Sequence, residues 1–194
     1  MEFSIRAAKR AFFAIGDKMR LLGAILAGGA ATRFGSDKAA ALIGGRALID
    51  QVADALRPQV ATLVVCGRCW PGLDGLADRP APDFGPLGGL CAALSHAQAT
   101  GHDAVLSVGC DVLPVPADLA VRLGDAPAYV EGQPLFALWP AALAGDLEQH
   151  LAGGCSRSVR SWIARAGARA VALDTILHNL NTPDDLVKFV ALRR

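Results

Sequence analysis

The chain has 194 residues, a formal net charge of +1, 53% hydrophobic residues and only 6% aromatic ones. That length suits one sizeable α/β domain with a full core. The near-neutral balance argues against a general nucleic-acid binder, and the shortage of aromatics argues against a base-stacking surface. No apolar run reaches the ~18 residues of a membrane span.

Residues 1–20 hold five Lys/Arg against two Asp/Glu, so this segment is +3 and the remainder −2. It reads as an N-terminal extension ahead of a domain over 21–194. A negative body that binds an anionic ligand must gather its positive charge locally. The first place where it does so follows the apolar run 21–27, a predicted buried strand. Gly28 and Gly29 come directly after it, then Arg33, Asp37 and Lys38. Paired glycines after a strand let backbone amides reach a ligand with no Cβ in the way. Lysine offers a point charge and arginine a two-pronged donor, the two usual ways to hold phosphate oxygens. The loop fits neither the Walker A pattern nor the G-x-G-x-x-G fingerprint. A nucleoside triphosphate is the ligand it suits.

Further along, Leu48, Ile49, Val52 and Leu56 recur at helical spacing over 47–56, and Pro58 ends that helix. Residues 62–65 read as a short β-branched strand. Residues 67–89, rich in Gly, Pro and Asp, read as a long loop of the kind that is usually functional. A helix over 90–99, a buried strand over 104–108 and a turn with a short helix over 114–123 follow. Residues 128–130 and 135–139 read as strands around a Glu131-Gly132 turn. Helices near 141–152 and 157–166 precede a strand at 168–173. Thr182, Pro183 and the acids Asp184 and Asp185 make a strong helix start. Strands separated by helices imply a mostly parallel sheet, with ligands beyond the carboxyl ends of its strands. The glycine loop, the 66–89 loop and Asp111 all lie there, so one crevice can collect them.

Asp111 follows a buried strand, where a carboxylate needs a partner. Magnesium on a triphosphate is one such partner; a helix cap or a loop position is the plainer alternative. Asp83 precedes Gly85-Pro-Leu-Gly-Gly89, which reads as a rigid turn or a second close backbone approach. Cys66 and Cys69 have redox-motif spacing, but Trp70-Pro71-Gly72 prevents the helix that would activate a thiol. The five cysteines are odd in number and irregularly spaced, which points to reduced thiols in a cytoplasmic protein. His96, His102, His150 and His178 show no ligand spacing and read as surface or helix residues.

Six segments together resemble the MobA-type nucleotidyltransferases, the molybdenum cofactor guanylyltransferases. They are Leu26-Ala-Gly-Gly29 with Arg33, Gly35, Asp37 and Lys38; Gly85-Pro-Leu-Gly-Gly89; Cys110-Asp-Val-Leu-Pro114; Pro134-Leu-Phe-Ala-Leu138; Arg157-Ser-Val-Arg-Ser-Trp162; and Asn179-Leu-Asn-Thr-Pro-Asp-Asp-Leu186. The resemblance implies a single-domain, three-layer α/β/α Rossmann-like nucleotidyltransferase fold. It implies transfer of GMP from GTP to the terminal phosphate of molybdopterin, with Mg²⁺ and release of pyrophosphate. On the same footing, Leu26, Ala27, Gly28, Gly29, Lys38, Asp83 and Asp111 would bind nucleotide. Arg33, Lys38 and Asp111 would carry catalysis, Asp111 would hold the metal, and Asn179 and Asn181 would face the pterin. Molybdoenzyme maturation proteins are expected partners; nucleic acid and membranes are not. The chain departs from the family at Cys66-Gly67-Arg68, where Asn is frequent, and at Gln133, where His is frequent. Two rival readings are a related enzyme using CTP with the same pterin or a sugar phosphate acceptor, and a non-catalytic nucleotide binder. Within the resembling families the Ala27-Gly28-Gly29 form goes with guanine transfer, and the presence of both Lys38 and Asp111 speaks for catalysis.

Overall fold

A computed structural model describes residues 19–28, 38–154 and 156–192. Its centre is a sheet of seven strands. In chain order the elements begin with β1 (Leu21–Leu26), the hairpin β2 (Leu42–Ile43) and β3 (Arg46–Ala47), and helix α1 (Leu48–Leu56). Next come β4 (Thr62–Cys66), β5 (Asp74–Leu76), α2 (Pro86–Ala99), β6 (Ala104–Gly109), β7 (Val112–Leu113) and α3 (Leu119–Leu123). The second half holds β8 (Ala128–Val130), β9 (Gln133–Pro140), α4 (Ala144–Ala152), α5 (Val159–Ala166), β10 (Arg169–Val171), β11 (His178–Asn179) and α6 (Pro183–Ala191).

The strand order is β10-β8-β9-β6-β1-β4-β5. β1 runs parallel to β4 and β6, and β4 parallel to β5, while β9 is antiparallel to both β6 and β8. The sheet is therefore mostly parallel, as the alternation of strands and helices predicts. β11 pairs with β7 outside it, with Asn179 opposite Val112.

Period-2 alternation along β1 explains the three layers. Leu21 and Ile25 pack with α1, α6 and the loop after β6, alongside Ile49, Leu56 and Phe189. Leu22, Ala24 and Leu26 pack on the other face with α2, α4 and α5, alongside Leu90, Leu94 and Trp162. A strand buried on both faces must be apolar throughout, and all six residues of β1 are buried. On the second face Trp139 and Trp162 meet at 6.1 Å between ring centroids.

Three expectations change. Residues 67–89 are not one loop, because β5 extends the sheet within them. Gly85-Pro86-Leu87-Gly88-Gly89 is not a separate turn but the start of α2, with Gly85 as N-cap and Pro86 in the first turn. Its glycines permit close helix packing: a Cβ on Gly89 would stand 2.9 Å from Cβ of Cys66. His102 is buried in the turn after α2 rather than superficial or helical, whereas His150 lies in α4, in keeping with a helix residue, with its ring buried. His102 lies between the hydroxyls of Thr100 and Thr62, and His150 Nε2 is 2.9 Å from the Ser156 carbonyl oxygen.

Candidate functional site

The parallel strands β1, β4 and β6 all end at one edge of the sheet, and Gly28, Gly67 and Asp111 follow them there. Lys38 opens a 3-10 turn over Lys38–Ala40. Its Nζ donates to Asp111 Oδ2 at 2.6 Å and also to Asn181 Oδ1. Asp111 stands in the tight connection between β6 and β7, not at a helix cap. That turn is crowded: a Cβ on Gly109 would stand 2.8 Å from Asp111 Oδ1. The backbone of Leu180 donates to the Asp111 carbonyl at 2.8 Å, which binds the Asn179–Asn181 segment to the same turn.

Asn181 owes its place to the cap of α6. Thr182 Oγ1 accepts from the Asp185 amide, and the Asp185 carboxylate accepts from the amides of Thr182 and Asn181. This reciprocal box is the helix start read from the sequence. It also holds the Asp185 carboxyl below the usual aspartate range, chiefly through the Thr182 hydrogen bond.

Side chains of Lys38 and Asp111 are 17% and 28% exposed. Enough of each reaches solvent to meet a ligand. A hard carboxylate oxygen, partly exposed and already paired with one cation, fits Mg²⁺, which takes one or two carboxylates together with substrate phosphates. Among the described residues no cluster of three or more His, Cys, Asp or Glu could hold a metal without such a substrate.

Leu26 ends β1 in a buried position, and Ala27 donates from its amide to the Cys66 carbonyl at 3.1 Å. Gly28 lies against Gly67, which has a positive φ of 81°. A Cβ on Gly67 would stand 2.5 Å from Gly28 Cα and 2.9 Å from Gly28 N. The Cys66-Gly67-Arg68 departure thus has a local reason, since the two backbones cross too closely for any side chain. Gly29 and Arg33 lie outside the described residues.

Asp83 is exposed, with a positive φ of 65° that aspartate tolerates in turns. The more enclosed carboxylate nearby is Asp78, which sequence reasoning passed over. Positions for a Cβ on Gly28, Gly67, Gly88 and Gly89 all lie within 4 Å of the Asp78 side chain. Its Oδ1 is buried with no hydrogen-bond partner among the described residues. Burial, helped by the charge of Asp83, pushes the Asp78 carboxyl above the usual aspartate range. Asp78 escaped notice because β5, the strand just before it, has the composition of a loop.

The Cys66 thiol is fully buried beneath α2, and burial pushes it up to about 12. It serves packing, while Cys69 is exposed. Arg68 lies with its guanidinium carbon 5.4 Å from the Trp70 ring centroid. No helix among the described residues is long and apolar enough to cross a membrane.

A parallel sheet with a glycine turn, a lysine and a carboxylate gathered at its strand ends defines a nucleotide-binding α/β protein of the nucleotidyltransferase type. The MobA-like NTP transferase domain pattern matches residues 23–171, and the chain belongs to that family of nucleotide-transferring enzymes. A relative from Cereibacter sphaeroides, named molybdenum cofactor guanylyltransferase, is 40% identical over 193 residues, covering 91% of this chain and 98% of its own. One of the same name from Sinorhizobium fredii is 39% identical over 198 residues, covering 88% of this chain and 90% of its own. Molybdopterin-guanine dinucleotide biosynthesis protein A from Archaeoglobus fulgidus has a similar fold. Its TM-score is 0.70 at 20% identity, over 89% of this chain and 98% of its own.

Proposed function

We propose that the protein transfers GMP from GTP to the terminal phosphate of molybdopterin, releasing pyrophosphate. The observation that carries this reading is the meeting of Lys38, Asp111 and Asn181 at the ends of β1 and β6. Lys38 comes from the segment that follows β1 and Asn181 from the segment that follows β11, and the Lys38 ammonium contacts both Asp111 and Asn181. A transferase needs a donor and an acceptor on opposite sides of one charged centre. The names of the relatives support the choice of substrates.

The acceptor is a phosphate monoester with a second pKa of about 6, so near neutral pH it is largely a dianion and needs no protein base. One of its oxygens attacks the α-phosphorus of GTP; the bond from that phosphorus to the bridging oxygen breaks, and pyrophosphate leaves with the electron pair. Positioning and charge stabilisation carry such a step. Lys38 Nζ is released from Asp111 to follow the phosphate oxygens. Asp111 would hold Mg²⁺, which supplies charge neutralisation across the phosphates when bound. The Gly28 backbone brings the nucleotide close without a side chain intervening. Arg33 adds a second cation from the same loop.

Asp78 supports guanine over cytosine. The carboxylate is an acceptor pair whose buried Oδ1 has no partner among the described residues. Guanine offers two adjacent donors, N1–H and the 2-amino group, whereas cytosine's edge has one donor, the 4-amino group, beside the N3 and O2 acceptors. A buried acceptor left facing acceptors is strongly disfavoured.

The test is pyrophosphate release by purified protein with Mg²⁺ and molybdopterin. GTP should support turnover and CTP should not. Turnover with CTP, or with a sugar phosphate in place of molybdopterin, would overturn this substrate assignment. GTP binding without any pyrophosphate release would make the protein a binder.

A further inference from the structure

At the β8–β9 turn lies a cavity that no step above uses. It has a volume of about 200 Å³ and is bounded by the Glu131-Gly132-Gln133 turn on one side and Leu173, Thr175 and Leu177 on the other. Drug-sized ligands fill pockets of roughly 300–1,000 Å³, so this one suits a single small ring system rather than a whole nucleotide.

Its position is fixed by two strands. Gln133 begins β9, and Leu135, two residues on, lies beside the β6 end: a Cβ on Gly109 would be 3.4 Å from Leu135 Cδ1. The buried Ser107 hydroxyl anchors this stretch by donating to the Leu135 carbonyl at 2.8 Å. On the other side Leu177 stands two residues before Asn179, which pairs with Val112, the neighbour of Asp111. Two residues of strand span about 7 Å. A cross-strand step adds about 5 Å, so by either route the cavity lies within about 12 Å of the Asp111 turn. It lies on the Asn179 side, with β6 between it and β1.

Its lining combines apolar walls from Leu173 and Leu177 with the polar ends of Glu131, Gln133 and Thr175. Neither Glu131 nor Gln133 makes a side-chain hydrogen bond or ion pair among the described residues. Thr175 makes one long contact, donating to Asp174 at 3.4 Å. The Glu131 backbone is nonetheless held, its amide donating to the Val171 carbonyl at 2.9 Å. The turn is thus fixed while its side-chain groups are unused.

We propose that this cavity receives the bicyclic ring of the acceptor, with the Glu131 carboxylate reading its aminopyrimidinone edge. The inference rests on the pterin acceptor proposed above. A pterin presents N3–H and a 2-amino group as adjacent donors, which a carboxylate can accept together. Leu173 and Leu177 supply the flat apolar contact for the ring, and Gln133 and Thr175 can meet its remaining ring nitrogens and carbonyl. Ring and phosphate then act as two ends of one ruler: seating the ring fixes the terminal phosphate beside Lys38 and Asp111. Binding energy gained at the remote ring is used to orient the attacking oxygen.

The experiment is steady-state pyrophosphate release with molybdopterin varied at saturating GTP and Mg²⁺, comparing wild type with Glu131→Gln and Gln133→Ala. Glu131→Gln should raise the KM for molybdopterin roughly 10- to 100-fold, the range for a lost hydrogen bond to a charged group. The KM for GTP should stay within about twofold of wild type, and matched thermal melting will show that the fold survives. Gln133→Ala should raise the acceptor KM in the same direction by a smaller factor. An unchanged acceptor KM in Glu131→Gln, with wild type fully active, overturns the ring pocket and leaves the transferase reading intact. A GTP KM raised as much as the acceptor KM overturns it too, because the effect is then not local. A wild type that releases no pyrophosphate with molybdopterin overturns the acceptor itself and the pocket with it.

Discussion

A Cβ on Gly67 would stand 2.5 Å from Cα of Gly28, so the turn after β4 and the turn after β1 touch backbone to backbone. Gly67 also has a φ of 81°, a region that side chains strain to enter. Both facts bear on the nucleotide loop, because Gly28 is its first described glycine. Gly67→Ala is therefore expected to cost about 1–3 kcal/mol of stability. It should also raise the KM for GTP by displacing Gly28. Chemical denaturation and GTP kinetics check the two effects. A variant as stable as wild type would mean that the turns separate easily.

Asp111→Ala should abolish turnover while leaving the fold intact, since the side chain is partly exposed and packs no core. Loss of the residue that would hold the metal at the phosphates is expected to lower kcat by at least about 10²-fold. Pyrophosphate release and circular dichroism measured together give the answer. Wild-type activity with unchanged magnesium dependence would rule out the metal assignment.

Lys38 and the proposed divalent cation would compete for the same oxygen, because Lys38 Nζ sits 2.6 Å from Asp111 Oδ2. Lys38→Ala removes the competing ammonium. Without nucleotide, the variant should bind Mn²⁺ more tightly than wild type, as followed by electron paramagnetic resonance. Its turnover should nevertheless fall. Equal Mn²⁺ affinity in the two proteins would show that the pair does not guard the cation position.

Asp78 has a carboxyl held above the usual aspartate range by burial first and by Asp83 second. The sign follows by linkage: stability from the neutral form is complete below the unfolded-state value and is lost as pH rises through the folded-state value. At neutral pH the charged carboxylate therefore burdens the ligand-free fold. Asp78→Asn should melt higher than wild type at neutral pH, and the difference should disappear toward acid. The same variant should bind GTP more weakly, because the amide cannot accept both guanine donors. Thermal melts across pH and GTP titration decide this. A variant less stable than wild type at neutral pH would contradict it.

Thr182→Ala removes one half of the box that begins α6. A cap of this kind is worth about 1 kcal/mol. The loss should also loosen Asn181, which Lys38 contacts, so activity should fall by more than the stability change alone explains. The ratio of kcat to melting temperature across Thr182→Ala and Thr182→Ser separates the two. Serine keeps the hydroxyl and should restore both.

Much of this molecule follows from local pattern. The apolar run of β1, the glycine pair after it, the helical spacing of α1 and the cap residues of α6 each act within a few neighbours. Glu131-Gly132 marked the β8–β9 turn for the same reason. Short-range geometry and burial period are written directly in residue order. The candidacy of Lys38 and Asp111 came from chemistry that charge and position alone convey.

Other features depend on what packs against what. Lys38 and Asn181 are 143 residues apart in the chain, and their contact exists only because β11 joins β7 beside the β6 end. β5 forms from Asp74–Leu76 because the free edge of β4 supplies its hydrogen bonds, overriding a loop-like composition. Asp78 becomes an enclosed carboxylate only when four glycines from three segments close around it. Gly67 is explained by Gly28, and neither by its own sequence neighbours. Burial and cross-chain contact are properties of the assembled sheet, so residue order determined which chemistry the chain carries and tertiary structure decided where that chemistry meets.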